Sequence, residues 1–138
     1  MTSHSWISLG ARVALAAGFL SAVGDRFGLW GRPGAPNVVW GNWANFVDYT
    51  SVLNWFAPRP VVAFLAAVAT AAEVGLALLL IAGYQLRWTA YASGVLLLLF
   101  AIAMTFGVSA KAPLDYSVFA AAAAAFLLGA NTPASRTS

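Results

Sequence analysis

A single acidic residue, Glu73, lies in the middle of the apolar stretch at residues 60–83. An ionised side chain at the centre of a bilayer costs roughly 2.5–3.5 kcal/mol to insert, and such residues commonly belong to proton relays or ligand sites. Thr70 precedes Glu73 by about one helical turn and adds a hydroxyl to the same face. Glu73 is therefore the first candidate for chemistry, as a proton relay or a ligand contact. The alternative is structural: a neutral Glu73 that donates to a backbone carbonyl of another helix.

A second group of polar and aromatic residues flanks the apolar stretches on one side. These residues are the candidates for ligand binding: Asp25, Arg26, Trp43, Asp48, Lys111, Asp115 and Tyr116. A few convergent polar groups beside aromatic rings are typical of a ligand site. The alternative is a layer of ion pairs that closes the helix bundle. For Asp115 a position in the first turn of a helix is also sufficient, because the helix dipole stabilises an acid there.

Composition excludes several kinds of active site. The chain has no cysteine and one histidine, His4. This excludes thiolate nucleophiles, thiolate zinc sites, iron–sulfur clusters and bis-histidine haem ligation within one chain. A single histidine also excludes an HExxH zinc site, and His4 alone does not supply a Ser-His-Asp set. We therefore predict no metal site and no intrinsic cofactor, and an enzymatic role would need a partner subunit or a bound organic cofactor.

The elements that position these residues are predicted to be membrane-spanning helices. Of the 138 residues, 62% are hydrophobic and only 8% are charged, whereas soluble domains carry about 25% charged residues. Four apolar stretches, at about 7–29, 60–83, 88–107 and 113–130, approach the roughly 20 residues that cross a bilayer as a helix. The sequence predicts an all-α integral membrane four-helix bundle, with residues 1–138 as a single membrane domain.

The long first connection is predicted to contain one more helix. Between about residues 42 and 56, apolar residues recur at helical spacing on one face, and Asn42 is suited to cap the start. An amphipathic segment rich in Trp and Phe is typical of a helix that lies in the membrane interface or caps a bundle. Pro58 and Pro60 end this segment and begin the next span.

Small residues at every fourth position are predicted to form the contacts between spans, because they let helix backbones approach closely in lipid. The first two spans carry such residues at Ala14, Gly18 and Ala22 and at Ala67, Ala71 and Gly75. The last span contains an uninterrupted run of alanines at 120–125. These faces are the predicted helix–helix interfaces.

Four crossings would place both termini on one side of the membrane. Three Lys or Arg residues would lie on that side and four on the other, so the positive-inside rule does not set the orientation. The short polar leader with few acids favours cytoplasmic termini. The net charge of +3 suits anionic membrane lipids, and without a basic cluster with interleaved aromatics we predict no nucleic-acid binding.

The chain resembles the DoxX family of small bacterial four-helix membrane proteins. The resemblance rests on segments in order along the chain: Asp25-Arg26-Phe27-Gly28, Trp40-Gly41-Asn42-Trp43, Ala72-Glu73-Val74-Gly75, Arg87, and Lys111-Ala112-Pro113-Leu114-Asp115-Tyr116. It implies a multi-pass protein of the bacterial inner (cytoplasmic) membrane. Some members of the family are membrane subunits of thiosulfate:quinone oxidoreductase or of redox-stress complexes, and most have no assigned activity.

Three functions remain open at this point. The first is a membrane subunit, with a soluble or membrane oxidoreductase as partner, that binds quinone or a lipid-like ligand near Glu73; self-association into a homo-oligomer is also compatible. The second is a small proton-coupled transporter. The small multidrug resistance proteins also have four helices and one membrane-embedded Glu, but theirs lies in the first span and their loops are short. The third is a structural membrane anchor without its own activity.

Overall fold

The structure, a computed structural model, describes residues 3–134, and within this range it is helical and has no strand. Its helices are α1 (Ser3–Arg26), α2 (Trp43–Leu53), α3 (Arg59–Ala82), α4 (Leu86–Gly107), α5 (Ala112–Asp115) and α6 (Val118–Asn131). Helices α1, α3 and α4 are long and apolar enough to cross a membrane. The predicted all-α fold is confirmed, and these helices are consistent with a membrane protein. The ends of the predicted domain, residues 1–2 and 135–138, lie outside the described residues.

The long helices pack side by side as a helical bundle. Helix α1 packs mainly against α3 and α4 mainly against α6, and smaller contacts join α3 to α4 and α1 to α6. All four contribute to one buried cluster, formed by Leu15, Ala16, Phe19, Ala77, Leu80, Ala90, Ala125 and Leu128. Helix α1 begins and α6 ends at the same end of the bundle, which is also the end with the α3–α4 turn at Gly83.

Helix α1 ends at Arg26, earlier than the predicted boundary at residue 29. Gly28 has a φ of +77°, which glycine adopts without steric cost, and the N–H groups of Phe27 and Leu29 bond the carbonyl of Gly24 as the chain turns away. Arg26 reaches Thr70, about three turns into α3. The first turns of α3 therefore extend beyond α1 and leave a space beside them.

Helix α2 fills that space. Phe46 and Val47 of α2 form a buried cluster with Val62 and Ala66 of α3. The cap at Asn42 is confirmed, because its side chain accepts from the Asn45 N–H at 2.8 Å. The predicted segment at 42–56 thus exists as a helix, shorter by a turn, and its apolar face packs on α3.

The last predicted span, at 113–130, is interrupted. Helix α5 ends at Asp115, and the N–H groups of Tyr116 and Ser117 bond back to the carbonyls of Ala112 and Leu114. Ser117 then takes a left-handed φ of +55° before α6 begins. The alanine-rich run is helical as expected, whereas the residues before it form a separate turn.

The predicted small-residue interfaces of the first two spans were wrong. Ala14 and Gly18 are exposed, and a Cβ added at Gly18 would meet nothing within 4 Å. Ala67 and Ala71 are exposed as well. Helix α1 packs through larger residues such as Phe19. Four-residue spacing identifies one face of a helix, but it does not say whether that face points inward.

Candidate functional site

Arg26 and Glu73 form an ion pair between the end of α1 and the middle of α3, and each side chain is only 3% exposed. Arg26 Nη1 also donates to Thr70 Oγ1 at 2.7 Å, and Thr70 donates to the Ala66 carbonyl at 2.9 Å. Arg26 is favoured at the end of α1 because the C-terminal end of a helix dipole stabilises a cation. The acid singled out from the sequence therefore has a cation as its partner, where the structural alternative predicted a backbone carbonyl.

Aromatic rings cover the guanidinium group. Its central carbon lies 3.8 Å from the ring centroid of Phe46 and 5.4 Å from that of Trp40. Trp40 and Phe46 contact each other edge to face at 5.0 Å, and Trp43 lies between Phe46 and Phe27, stacked on the latter at 5.6 Å. A cation over an aromatic face gains about 0.5–2 kcal/mol, more when it is desolvated. We refer to Arg26, Glu73, Thr70, Trp40 and Phe46 as the Arg26 cluster.

Asp25 holds the connecting loop against this cluster. Its carboxylate accepts backbone N–H groups of Val39 at 2.8 Å, Trp40 at 2.7 Å and Gly41 at 3.0 Å. Gly41 has a φ of +77°, and a Cβ there would lie 2.5 Å from the backbone nitrogen of Pro33, so glycine is required at this close approach. Asp25 therefore positions Trp40 beside Arg26, and its charge is satisfied by backbone donors.

Two buried donors in the Arg26 cluster have no acceptor among residues 3–134. Arg26 Nε and Trp40 Nε1 are buried and have no hydrogen-bond partner within the described part of the chain. A buried donor left without a partner costs about 1–3 kcal/mol, so such atoms are rare in folded proteins. An oxygen acceptor is the kind of group that satisfies such a donor.

The remaining candidate residues form separate pairs at the surface. Asp48 pairs with Arg59 at 2.8 Å, and both side chains are largely exposed. Lys111 pairs with Asp115 at 2.6 Å, also exposed, and Tyr116 is 64% exposed. Of the predicted site residues, Glu73 pairs with Arg26, Trp43 packs on Phe46 beside Arg26, and Asp25 binds the Trp40 backbone. The structure leaves Asp48, Lys111, Asp115 and Tyr116 outside that group.

Neither Trp40 nor Phe46 was predicted from the sequence as a site residue. Both lie in segments whose aromatic content was recognised, but they reach Arg26 only after the loop turns back and α2 docks on α3. The positive-φ glycines, Gly28 and Gly41, are the local signal for that turn, and glycine alone does not specify a direction.

A comparison of the chain with protein-family models, curated proteins and solved structures found no match. The resemblance to the DoxX family therefore remains a prediction that rests on the sequence segments given above.

Proposed function

We propose that this chain is a multi-pass protein of a bacterial inner membrane, in which α1, α3, α4 and the α5–α6 unit are four spans. The length and apolar character of α1, α3 and α4 support this. Large apolar side chains that point outward support it too, among them Phe64 at 67% and Leu99 at 57% exposure, because lipid accommodates such a surface. Helix α6 has 14 residues, about 21 Å at 1.5 Å per residue, so α5 is needed to complete its span.

The topology is testable because the chain has no native cysteine. Single cysteines at His4, Tyr84 and Asn37 would be labelled in intact cells and in lysed cells by a thiol reagent that does not cross membranes. We expect the cysteines at His4 and Tyr84 to react on one side and that at Asn37 on the other. Equal labelling of all three in intact cells would contradict the four-span arrangement.

We further propose that the protein is a membrane subunit of a quinone-linked redox system, and that the Arg26 cluster binds a quinone or a similar lipid-like ligand. The observation that carries this proposal is the pair of partnerless donors, Arg26 Nε and Trp40 Nε1, among aromatic rings. A quinone ring is flat and largely apolar and carries carbonyl acceptors, so it matches these groups in polarity and can stack on aromatic side chains.

Each residue of the site then has a defined role. Arg26 and Trp40 donate to a ligand carbonyl, and Glu73 is the counter-ion that keeps Arg26 charged while buried. Glu73 is also the group that can hold a proton close to the ligand when the pair separates. Asp25 positions Trp40 through its bonds to the loop. A bound quinone would supply the redox chemistry, and a partner oxidoreductase would exchange electrons with it.

Trp40→Phe tests this role, because it removes the Nε1 donor and keeps an aromatic ring. The purified chain would be titrated with a short-chain quinone and binding measured by calorimetry. The loss of one hydrogen bond worth about 1 kcal/mol predicts affinity lower by about fivefold. Trp55→Phe is the matched control, because Trp55 is 74% exposed and lies outside the Arg26 cluster, and it should bind like the wild type. If the wild type does not bind quinone, or if Trp40→Phe binds as tightly, the proposed role is wrong.

A structural role is the second candidate, and one observation favours it. The charges of both Glu73 and Asp25 are satisfied within the chain, by Arg26 and by three backbone N–H groups. Under this role, substitutions in the Arg26 cluster would change stability and leave quinone-dependent turnover of the complex unchanged. Proton-coupled transport gains no such support, because a transport acid must exchange with both sides and Glu73 is enclosed in its ion pair.

A further inference from the structure

A cation that the proposed redox role does not use lies at the opposite end of the bundle. Arg87, in the first turn of α4, lines a cleft of about 510 Å³. The other walls are the α3–α4 turn, with Gly83 and Gln85, and residues 132–134 after α6. The cleft thus joins three segments of chain around one arginine.

Charge balance among residues 3–134 leaves Arg87 without a counter-ion. The chain has four acidic side chains. Asp48, Glu73 and Asp115 pair with other cations, and Asp25 binds backbone donors of the first connection. Arg87 Nε is buried and has no hydrogen-bond partner within residues 3–134. No described residue supplies an acceptor to this Nε, so an acceptor from outside residues 3–134 would satisfy it.

Arg12, the other described arginine at this end of the bundle, differs from Arg87 because its Nε has an acceptor. Arg12 Nε donates to the Leu80 carbonyl at 2.7 Å and its Nη2 to the Ile81 carbonyl at 2.8 Å. Two of its three nitrogens are thus occupied by the end of α3. Of these two arginines, Arg87 is the one whose Nε has no acceptor among residues 3–134.

Aromatic side chains mark the depth of the cleft in the proposed membrane. Trp88, which lines the cleft, is 67% exposed, and the nearby Tyr84 is 64% exposed. Exposed Trp and Tyr are enriched at the level of lipid head groups. Arginine binds phosphate oxygens through charge-assisted hydrogen bonds from its planar guanidinium.

We propose that this cleft binds the phosphodiester head group of an anionic phospholipid, with Arg87 as the charged contact. The inference rests on the proposed membrane location and does not depend on the quinone role. Cysteine labelling tests the membrane location by itself, so failure of the lipid site and failure of that location are distinguishable.

Native mass spectrometry of the full chain in detergent tests the site. The protein would be titrated separately with phosphatidylglycerol and with phosphatidylcholine of the same acyl chains. We expect tighter binding of phosphatidylglycerol, and Arg87→Gln should lower its affinity about fivefold, as a cation near an anionic lipid contributes about 1 kcal/mol. Arg87→Lys should recover part of the loss, because it restores the charge without the planar fork.

Arg32→Gln is the matched control. Arg32 is exposed, lies in the first connection at the other end of the bundle, and forms no ion pair among the described residues. Its loss should change phosphatidylglycerol affinity less than twofold, and circular dichroism would confirm that all variants are folded. The proposal is overturned if the two lipids bind equally, or if the two glutamine variants lose the same affinity. Displacement of the lipid by millimolar inorganic phosphate would assign the cleft to a soluble anion instead.

Discussion

The two arginines of α1 connect the same pair of helices, and their charges are satisfied in different ways. Arg12 donates to two carbonyls, those of Leu80 and Ile81 at the end of α3. Arg26 lies about four turns later in α1, where it meets the carboxylate of Glu73 and the hydroxyl of Thr70. One contact is between a cation and a helix end, and the other is a buried ion pair.

The difference follows from the hydrogen-bond acceptors that α3 has at its C-terminal end and in its middle. Its last carbonyls have no partner further along the helix and carry partial negative charge, so Arg12 needs no acid. In the middle of α3 the carbonyls are already bonded within the helix, and Arg26 therefore needs side-chain acceptors. A buried ion pair is often no more stabilising than well-packed apolar residues. Stability alone therefore does not explain the Arg26–Glu73 pair, and it is the contact for which we propose a function.

Of three substitutions that test this comparison, Glu73→Gln should lower the stability of the protein most. Arg26 would keep its charge in a buried site without a counter-ion, so we expect the free energy of unfolding to fall by about 3–5 kcal/mol. Unfolding in mixed micelles with increasing SDS would measure it. The double variant Arg26→Met with Glu73→Leu should recover most of the loss. If Glu73→Gln is as stable as the wild type, the pair does not differ energetically from the Arg12 contact.

Asp25→Asn should lower the stability of the protein by an intermediate amount. The carboxylate accepts three backbone N–H groups, and hydrogen bonds to a charged group contribute about 1.5–3 kcal/mol. We expect a loss of stability in that range and faster amide hydrogen exchange at Val39, Trp40 and Gly41. Asp48→Asn is the control, because its ion pair is exposed and should contribute about 0–1 kcal/mol. Unchanged exchange at the three amides would show that Asp25 does not hold the loop.

Arg12→Gln should have the smallest effect of the three. It removes a cation from a helix end and leaves no buried charge behind, so the expected loss is about 1 kcal/mol. The same SDS titration measures it, with Arg32→Gln as a surface control expected within about 0.5 kcal/mol of the wild type. A loss as large as that of Glu73→Gln would mean that the two arginines contribute alike, and the comparison would fail.

Some elements of the fold are predictable from local sequence to within a few residues. Helix α3 was expected at 60–83 and spans Arg59–Ala82, because prolines mark its start and Gly83, in a left-handed conformation, marks its end. The end of α1 and the interruption at Ser117 were not predicted. The end of α1 is accompanied by contacts between segments, because Asp25 accepts the N–H groups of residues 39–41. The interruption depends on a left-handed φ at Ser117, a residue type that does not by itself predict that conformation.

The sequence by itself determined that this protein is helical and apolar and that one acid, Glu73, lies inside a long apolar helix. These properties depend on composition and on the spacing of neighbours along the chain, which are local. Only the tertiary structure decided that Glu73 is paired, that Arg26 rather than Arg12 is its partner, and that Trp40 and Phe46 enclose the pair. The same residue type, arginine, occurs at both levels of α1. Its role depends on whether the neighbouring helix presents the carbonyls of its C-terminal end or a side-chain acid at that position.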